Sequence, residues 1–112
     1  MVQSVGNYNL DELQQHILIC HGSSCKKNRA EEITAAIRDE VKTQKTSSIL
    51  VTRTECLKRC SDACNAVIYP AGVWYKEMTP GAGRKLVKKL GKGKLMKKHI
   101  SYHVGKYKEA TP

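Results

Sequence analysis

The chain of 112 residues holds 20 Lys/Arg against 10 Asp/Glu, for a formal net charge of +10, and five cysteines; that length supports one small domain with a single modest core, and one site. No run of roughly 18 apolar residues occurs, and the N-terminus lacks a basic stretch followed by an apolar core, so neither a membrane span nor a secretory signal is expected. The default compartment is the cytosol, where thiols stay reduced and a disulfide framework is set aside in favour of metal ligation or redox chemistry; an organelle stroma or matrix protein would look the same.

Residues 1–15 read as an N-terminal extension. HILIC, His16 to Cys20, is a short β-branched apolar run of the kind that forms a buried strand, and it ends at a cysteine followed by the turn residues His21, Gly22, Ser23 and Ser24. RAEEITAAIRDEVK spaces Ala30, Ile33, Ile37 and Val41 three and four residues apart among charges, which predicts an amphipathic helix. The polar connection TQKTSS leads to a second predicted strand, Ile49 to Thr54, just before Cys56. Beyond the cysteine-rich segment, Ala66 to Tyr69, the turn Pro70-Ala71-Gly72, and Val73 to Lys76 predict a hairpin. Thr79 as N-cap with Pro80 at the first helical position opens a helix over RKLVKKL that Gly91 is expected to stop. Residues 92–112 form a basic tail: residues 84–112 carry ten Lys/Arg against one Asp/Glu, while residues 1–83 carry ten against nine.

A strand joined to the next through a crossover helix pairs with it in parallel, so both strands end on the same edge of the sheet. Cys20 ends the first, Cys25 opens the loop into the helix, and Cys56 and Cys60 follow the second. The pattern Cys20-x4-Cys25-x30-Cys56-x3-Cys60 is thereby gathered at an edge where open sheets commonly hold ligands. Four thiolates are the ligand set of a 2Fe-2S cluster and also suit tetrahedral zinc. Structural zinc favours tighter pairs, which leans the spacing toward the wider binuclear cluster without deciding it.

CHGSSC after an apolar strand, then ECLKRC, then AVIYPAGVWYKEMTP resemble, in that order, the thioredoxin-like 2Fe-2S ferredoxins and the related small iron-sulfur subunit of NADH dehydrogenases, over roughly residues 16 to 90. The resemblance implies a thioredoxin-like α/β domain over residues 16–91, with a mixed four-stranded sheet and two main helices in the order β-α-β-β-β-α, followed by the basic C-terminal extension. It implies a one-electron carrier rather than an enzyme, with a single 2Fe-2S cluster held by Cys20, Cys25, Cys56 and Cys60, the earlier pair on one iron and the later pair on the other, and it implies a homodimer. The x4 spacing matches the shorter-loop members. Where the family often carries glycine after its fourth ligand, this chain has SDACNA with Cys64, read as a small apolar plug between loop and hairpin, or else as an alternate ligand replacing Cys60.

Such a cluster, with about −2 net charge when oxidised, would be tuned by backbone amides of Gly22 to Cys25 and Leu57 to Cys60, by Ser23 and Ser24, and by Lys26, Lys27, Lys58 and Arg59, whose charge favours the reduced state. His16 and His21 flank the first strand as surface or tuning groups rather than ligands. Strand alternation turns one of Trp74 and Tyr75 into the core, while Tyr69 and Pro70 fix the hairpin. His99 and His103 complete a formal Cys/His zinc set with Cys60 and Cys64, but the segment between would contain the whole hairpin and helix.

The basic tail fits an acidic redox partner, a nucleic-acid backbone or an anionic membrane, or is solvated charge, with Val87, Leu90, Leu95, Met96 and Ile100 expected to keep part of it folded on the domain. Three classes follow: an electron carrier, a zinc-stabilised binding module, and an iron-sulfur sensor or delivery protein that engages a partner or nucleic acid through the tail. The dithiol C-x-x-C is absent, so disulfide exchange is not expected.

Overall fold

The structure is a computed structural model that describes residues 10–55, 57 and 63–104. Its central strand, β1 (Gln15–Cys20), places Ile17 and Ile19 on one face, where both are fully buried. β2 (Ile49–Thr54) pairs with β1 in parallel, from Gln15 opposite Ile49 to Cys20 opposite Thr54, as the crossover connection predicts. β3 (Ala66–Tyr69) takes the other edge of β1 in antiparallel sense, with Ala66 opposite Ile19. β4 (Val73–Tyr75) folds back on β3, and β5 (Ile100–His103) pairs with β4.

The sheet therefore has five strands in the order β2-β1-β3-β4-β5, where the sequence predicts four. The fifth is missed for a physical reason. ISYH is a short stretch within a basic segment read as a tail, and it becomes a strand by pairing with the open edge of β4. Its approach is fixed by Tyr75, fully buried, whose hydroxyl donates to the Met96 carbonyl at 2.6 Å. Met96 is itself buried, as its apolar character predicts.

A short helix α1 (Ser23–Lys27) occupies what the sequence reads as a turn, and α2 (Ala30–Thr43) is the predicted amphipathic helix, with Ile33 and Ile37 fully buried. Each buried isoleucine contributes about 1.5–3 kcal/mol relative to exposure. α3 (Pro80–Gly91) begins as predicted, the Thr79 side chain accepting the Ala82 amide at 3.1 Å. Its end falls at the expected residue. Gly91 is the last helical residue, and the left-handed turn falls at Gly93, φ 74°, with the amides of Gly93 and Lys94 bonded to the carbonyls of Leu90 and Lys89.

α2 and α3 pack against each other, and at Gly83 a Cβ would lie 2.7 Å from Ile37 Cγ1. Arg84 Nη1 donates to Asp39 Oδ2 at 2.7 Å across the same seam. Among the described residues, no helix is long and apolar enough to cross a membrane.

Candidate metal centre

The strand register fixes the frame of the site. Cys20 is the last residue of β1, paired with Thr54 at the end of β2, and Cys56 follows Thr54 by two positions in sequence. Cys25 lies in α1, five positions beyond Cys20, and Cys64 lies two positions before the start of β3, which runs antiparallel to β1 and so begins at the same edge. Antiparallel pairing thus brings Cys64 to the rim where Cys20 and Cys25 lie, and parallel pairing brings the end of β2 to the same edge.

Cys20, Cys25 and Cys64 are free thiols, each no more than 2% exposed. The Gly22 amide lies 3.5 Å from Cys20 Sγ and donates to it, one of the backbone donors expected from the sequence. Asn65 Nδ2 donates to Cys25 Sγ at 3.8 Å, and the Asn65 carbonyl accepts the Cys20 amide at 3.0 Å. Cys64 Sγ points back into the protein, donating to the carbonyls of Cys20 at 3.8 Å and Cys25 at 3.7 Å, while its own carbonyl accepts the Met78 amide at 3.0 Å. Cys64 therefore joins the two cysteine-bearing segments to each other and to the approach of α3.

Burial pushes the Cys25 thiol up to about 12, against a lowering contribution from the main-chain amide of Asn65 and with Cys20 and Cys64 alongside raising it further. Burial likewise raises Cys64. A metal-free Cys25 is thus a neutral thiol near pH 7, and loses its proton only with a cation to compensate the charge.

Of the residues the sequence singles out, Cys56, Lys58, Arg59 and Cys60 lie outside the described residues. Among those described, no group of three or more His, Cys, Asp or Glu side chains is arranged to hold a metal ion. Cys20, Cys25 and Cys64 by themselves therefore do not compose a metal site, consistent with the inward direction of the Cys64 S–H.

The histidines separate cleanly. His21 is buried, its Nε2 2.6 Å from Thr34 Oγ1 and its Nδ1 3.8 Å from Glu31 Oε2, so it anchors the turn after β1 to α2. His16 is partly buried, with Nε2 2.7 Å from Thr52 Oγ1 on β2. His99 Nδ1 lies 3.2 Å from the Lys76 carbonyl, and extended β5 carries His103 away from it by about 13 Å. One tetrahedral ion cannot take both.

Asn65 is the residue that sequence reasoning missed. The available signal was a carboxamide set between Cys64 and the apolar run Ala66-Val67-Ile68, since a polar side chain entering a buried strand needs a partner there. The donor set fits an iron-sulfur group: buried soft sulfurs at a sheet rim, with N–H donors aimed at two of them.

No protein-family model matches the chain. It is 38% identical over 100 residues to a protein of Priestia megaterium assigned to the 2Fe-2S ferredoxins, covering 88% of this chain and 79% of the relative. It is 31% identical over 77 residues to a 2Fe-2S ferredoxin of Clostridium pasteurianum, covering 59% of this chain and 74% of the relative. Among solved structures, the thioredoxin-like [2Fe-2S] ferredoxin of Aquifex aeolicus superposes with a TM-score of 0.72 at 23% identity, over 80% of this chain and 98% of that one.

Proposed function

We propose, from the premise that this chain belongs to the 2Fe-2S ferredoxin family and has its thioredoxin-like fold, that it is a one-electron carrier whose single 2Fe-2S cluster is held by Cys20, Cys25, Cys56 and Cys60. The observation that carries this reading is the rim at the end of β1. There Cys20 and Cys25 are free and buried, Cys20 stands in register with Thr54, and the chain enters the Cys56–Cys60 segment from that position. When bound, the group supplies a site that gains and loses a single electron without proton bookkeeping at a substrate.

The chain's own residues supply the rest. Gly22 and Asn65 donate to sulfur, the Asn65 carbonyl holds the last residue of β1, and Cys64 joins the two segments from beneath rather than replacing Cys60. The partner is a redox protein with an acidic docking face. Lys85 and Lys98 line one cleft with Thr79 and His99, on the side of the fold where β5 begins opposite Tyr75, and Tyr75 pairs with Ala66, two positions after Cys64. Positive charge near the rim speeds encounter with such a partner and makes the rate depend on salt.

The test is anaerobic purification with iron, sulfide and zinc analysis, followed by electron paramagnetic resonance of the dithionite-reduced protein. A spin-half signal with two irons per chain is expected. Colourless protein carrying one zinc would replace the electron carrier by the zinc-stabilised module. Tight binding to duplex DNA that weakens steeply with salt would favour the nucleic-acid reading of the basic segment.

A further inference from the structure

We infer that the Asn65 side chain raises the reduction potential of the centre as a positioning residue acting through Cys25. The inference rests on the reading that Cys25 ligates iron. Asn65 is 2% exposed and acts through both its main chain and its side chain. Its main-chain carbonyl accepts the Cys20 amide at 3.0 Å and so holds the end of β1 against the start of β3. Its side-chain Nδ2 donates to Cys25 Sγ at 3.8 Å. The first is a matter of frame, common to any residue at this position; the second belongs to the carboxamide alone.

The direction of the effect follows from charge. Burying a carboxamide is unfavourable unless its polar atoms are satisfied, and a neutral thiol is a poor acceptor for an N–H. The same sulfur as a thiolate is a strong, charge-assisted acceptor. Asn65 is therefore matched to an anionic sulfur at Cys25. On reduction the sulfurs gain negative charge, so a fixed N–H donor stabilises the reduced form more than the oxidised one, and the potential rises. In a site shielded from water this contribution is large and escapes ionic screening, whereas that of exposed lysines such as Lys27 is screened by salt.

Two substitutions isolate the side chain while leaving the carbonyl in place: Asn65→Leu, close in size and without donors, and Asn65→Asp, close in shape with the donor replaced by an acceptor. Asn65→Ser keeps a hydroxyl donor as a control for the loss of bulk. The readouts are iron per chain, the midpoint potential at low and high salt, and the Fe–S(Cys) stretching frequencies by resonance Raman.

The inference predicts full iron content, a lower potential in Asn65→Leu and a lower one still in Asn65→Asp, at both salt concentrations, with Fe–S(Cys) bands moved to higher frequency as the hydrogen bond is removed. Asn65→Ser falls between Leu and wild type. An unchanged potential in iron-replete Asn65→Leu overturns it. Loss of iron from all three variants overturns it as well, because the side chain would then be required for assembly rather than tuning. If Asn65→Leu and Asn65→Asp lose iron while Asn65→Ser keeps it, the potential of Asn65→Ser decides: a value below wild type supports the inference, and an unchanged value overturns it. A wild-type protein without iron or a spin-half signal would instead remove the electron-carrier reading, and this inference with it, so the two failures are told apart.

Discussion

Tyr75→Phe tests whether the segment after α3 is held to the sheet by a buried hydrogen bond. Tyr75 is fully buried and its hydroxyl donates to the Met96 carbonyl at 2.6 Å. Phenylalanine preserves the ring and its packing but leaves that carbonyl without this donor, at a cost of about 1–2 kcal/mol near neutral pH. The alkaline side gives a sharper signature. Burial pushes the Tyr75 phenol up to about 12 from its ordinary 10.0, so between those values the unfolded chain has lost the proton and the folded chain retains it.

The unfolded state then binds fewer protons, and stability falls as pH rises from 10 toward 12, by about 2.7 kcal/mol on completion. Phe carries no such liability. In urea unfolding followed by the fluorescence of Trp74, the only tryptophan, wild type should exceed Tyr75→Phe at about pH 8 and lose that advantage by about pH 11.5. Cys25 titrates in both proteins and cancels in the comparison. A difference between the two proteins that stays constant over that range would refute a buried, hydrogen-bonded phenol.

Cys64→Ser should retain iron while Cys20→Ser and Cys25→Ser lose it, measured as iron per chain; loss from Cys64→Ser equal to that from Cys60→Ser would show that the ligand assignment is wrong. Gly83→Ala places a methyl 2.7 Å from Ile37 Cγ1. Overpacking of about 1–3 kcal/mol should outweigh a helix-propensity gain of about 1 kcal/mol, so thermal denaturation should show a lower Tm despite the better helix former. Thr79→Ala removes the acceptor for the Ala82 amide and should cost about 1 kcal/mol in the same assay, with the metal content unchanged.

Much of the site's frame was legible in the sequence. The run HILIC, the three- and four-residue spacing of Ala30, Ile33, Ile37 and Val41, and ILVTRT are local patterns, and a strand–helix–strand order admits parallel pairing. From these alone Cys20 and the end of β2 had to meet at one rim. Asn65 was not legible as a donor to Cys25, because its role depends on β3 starting beside the end of β1 in a particular register. β5 was hidden for a related reason: ISYH is too short and too deep in a basic segment to stand out, and the open edge of β4 together with the Tyr75–Met96 bond gives it a partner.

By itself the sequence determined most of the elements, the spacing of the cysteines along the chain, and the basic character of everything after Gly83, since each is a matter of residue type and position. Only the tertiary structure decided that the Cys64 S–H turns inward to the carbonyls of Cys20 and Cys25, and that a carboxamide faces Cys25 Sγ. It also decided that the chain beyond α3 returns to complete the sheet. Those outcomes follow from which strand edges and buried polar groups find partners across the fold, a condition that no local stretch of sequence encodes.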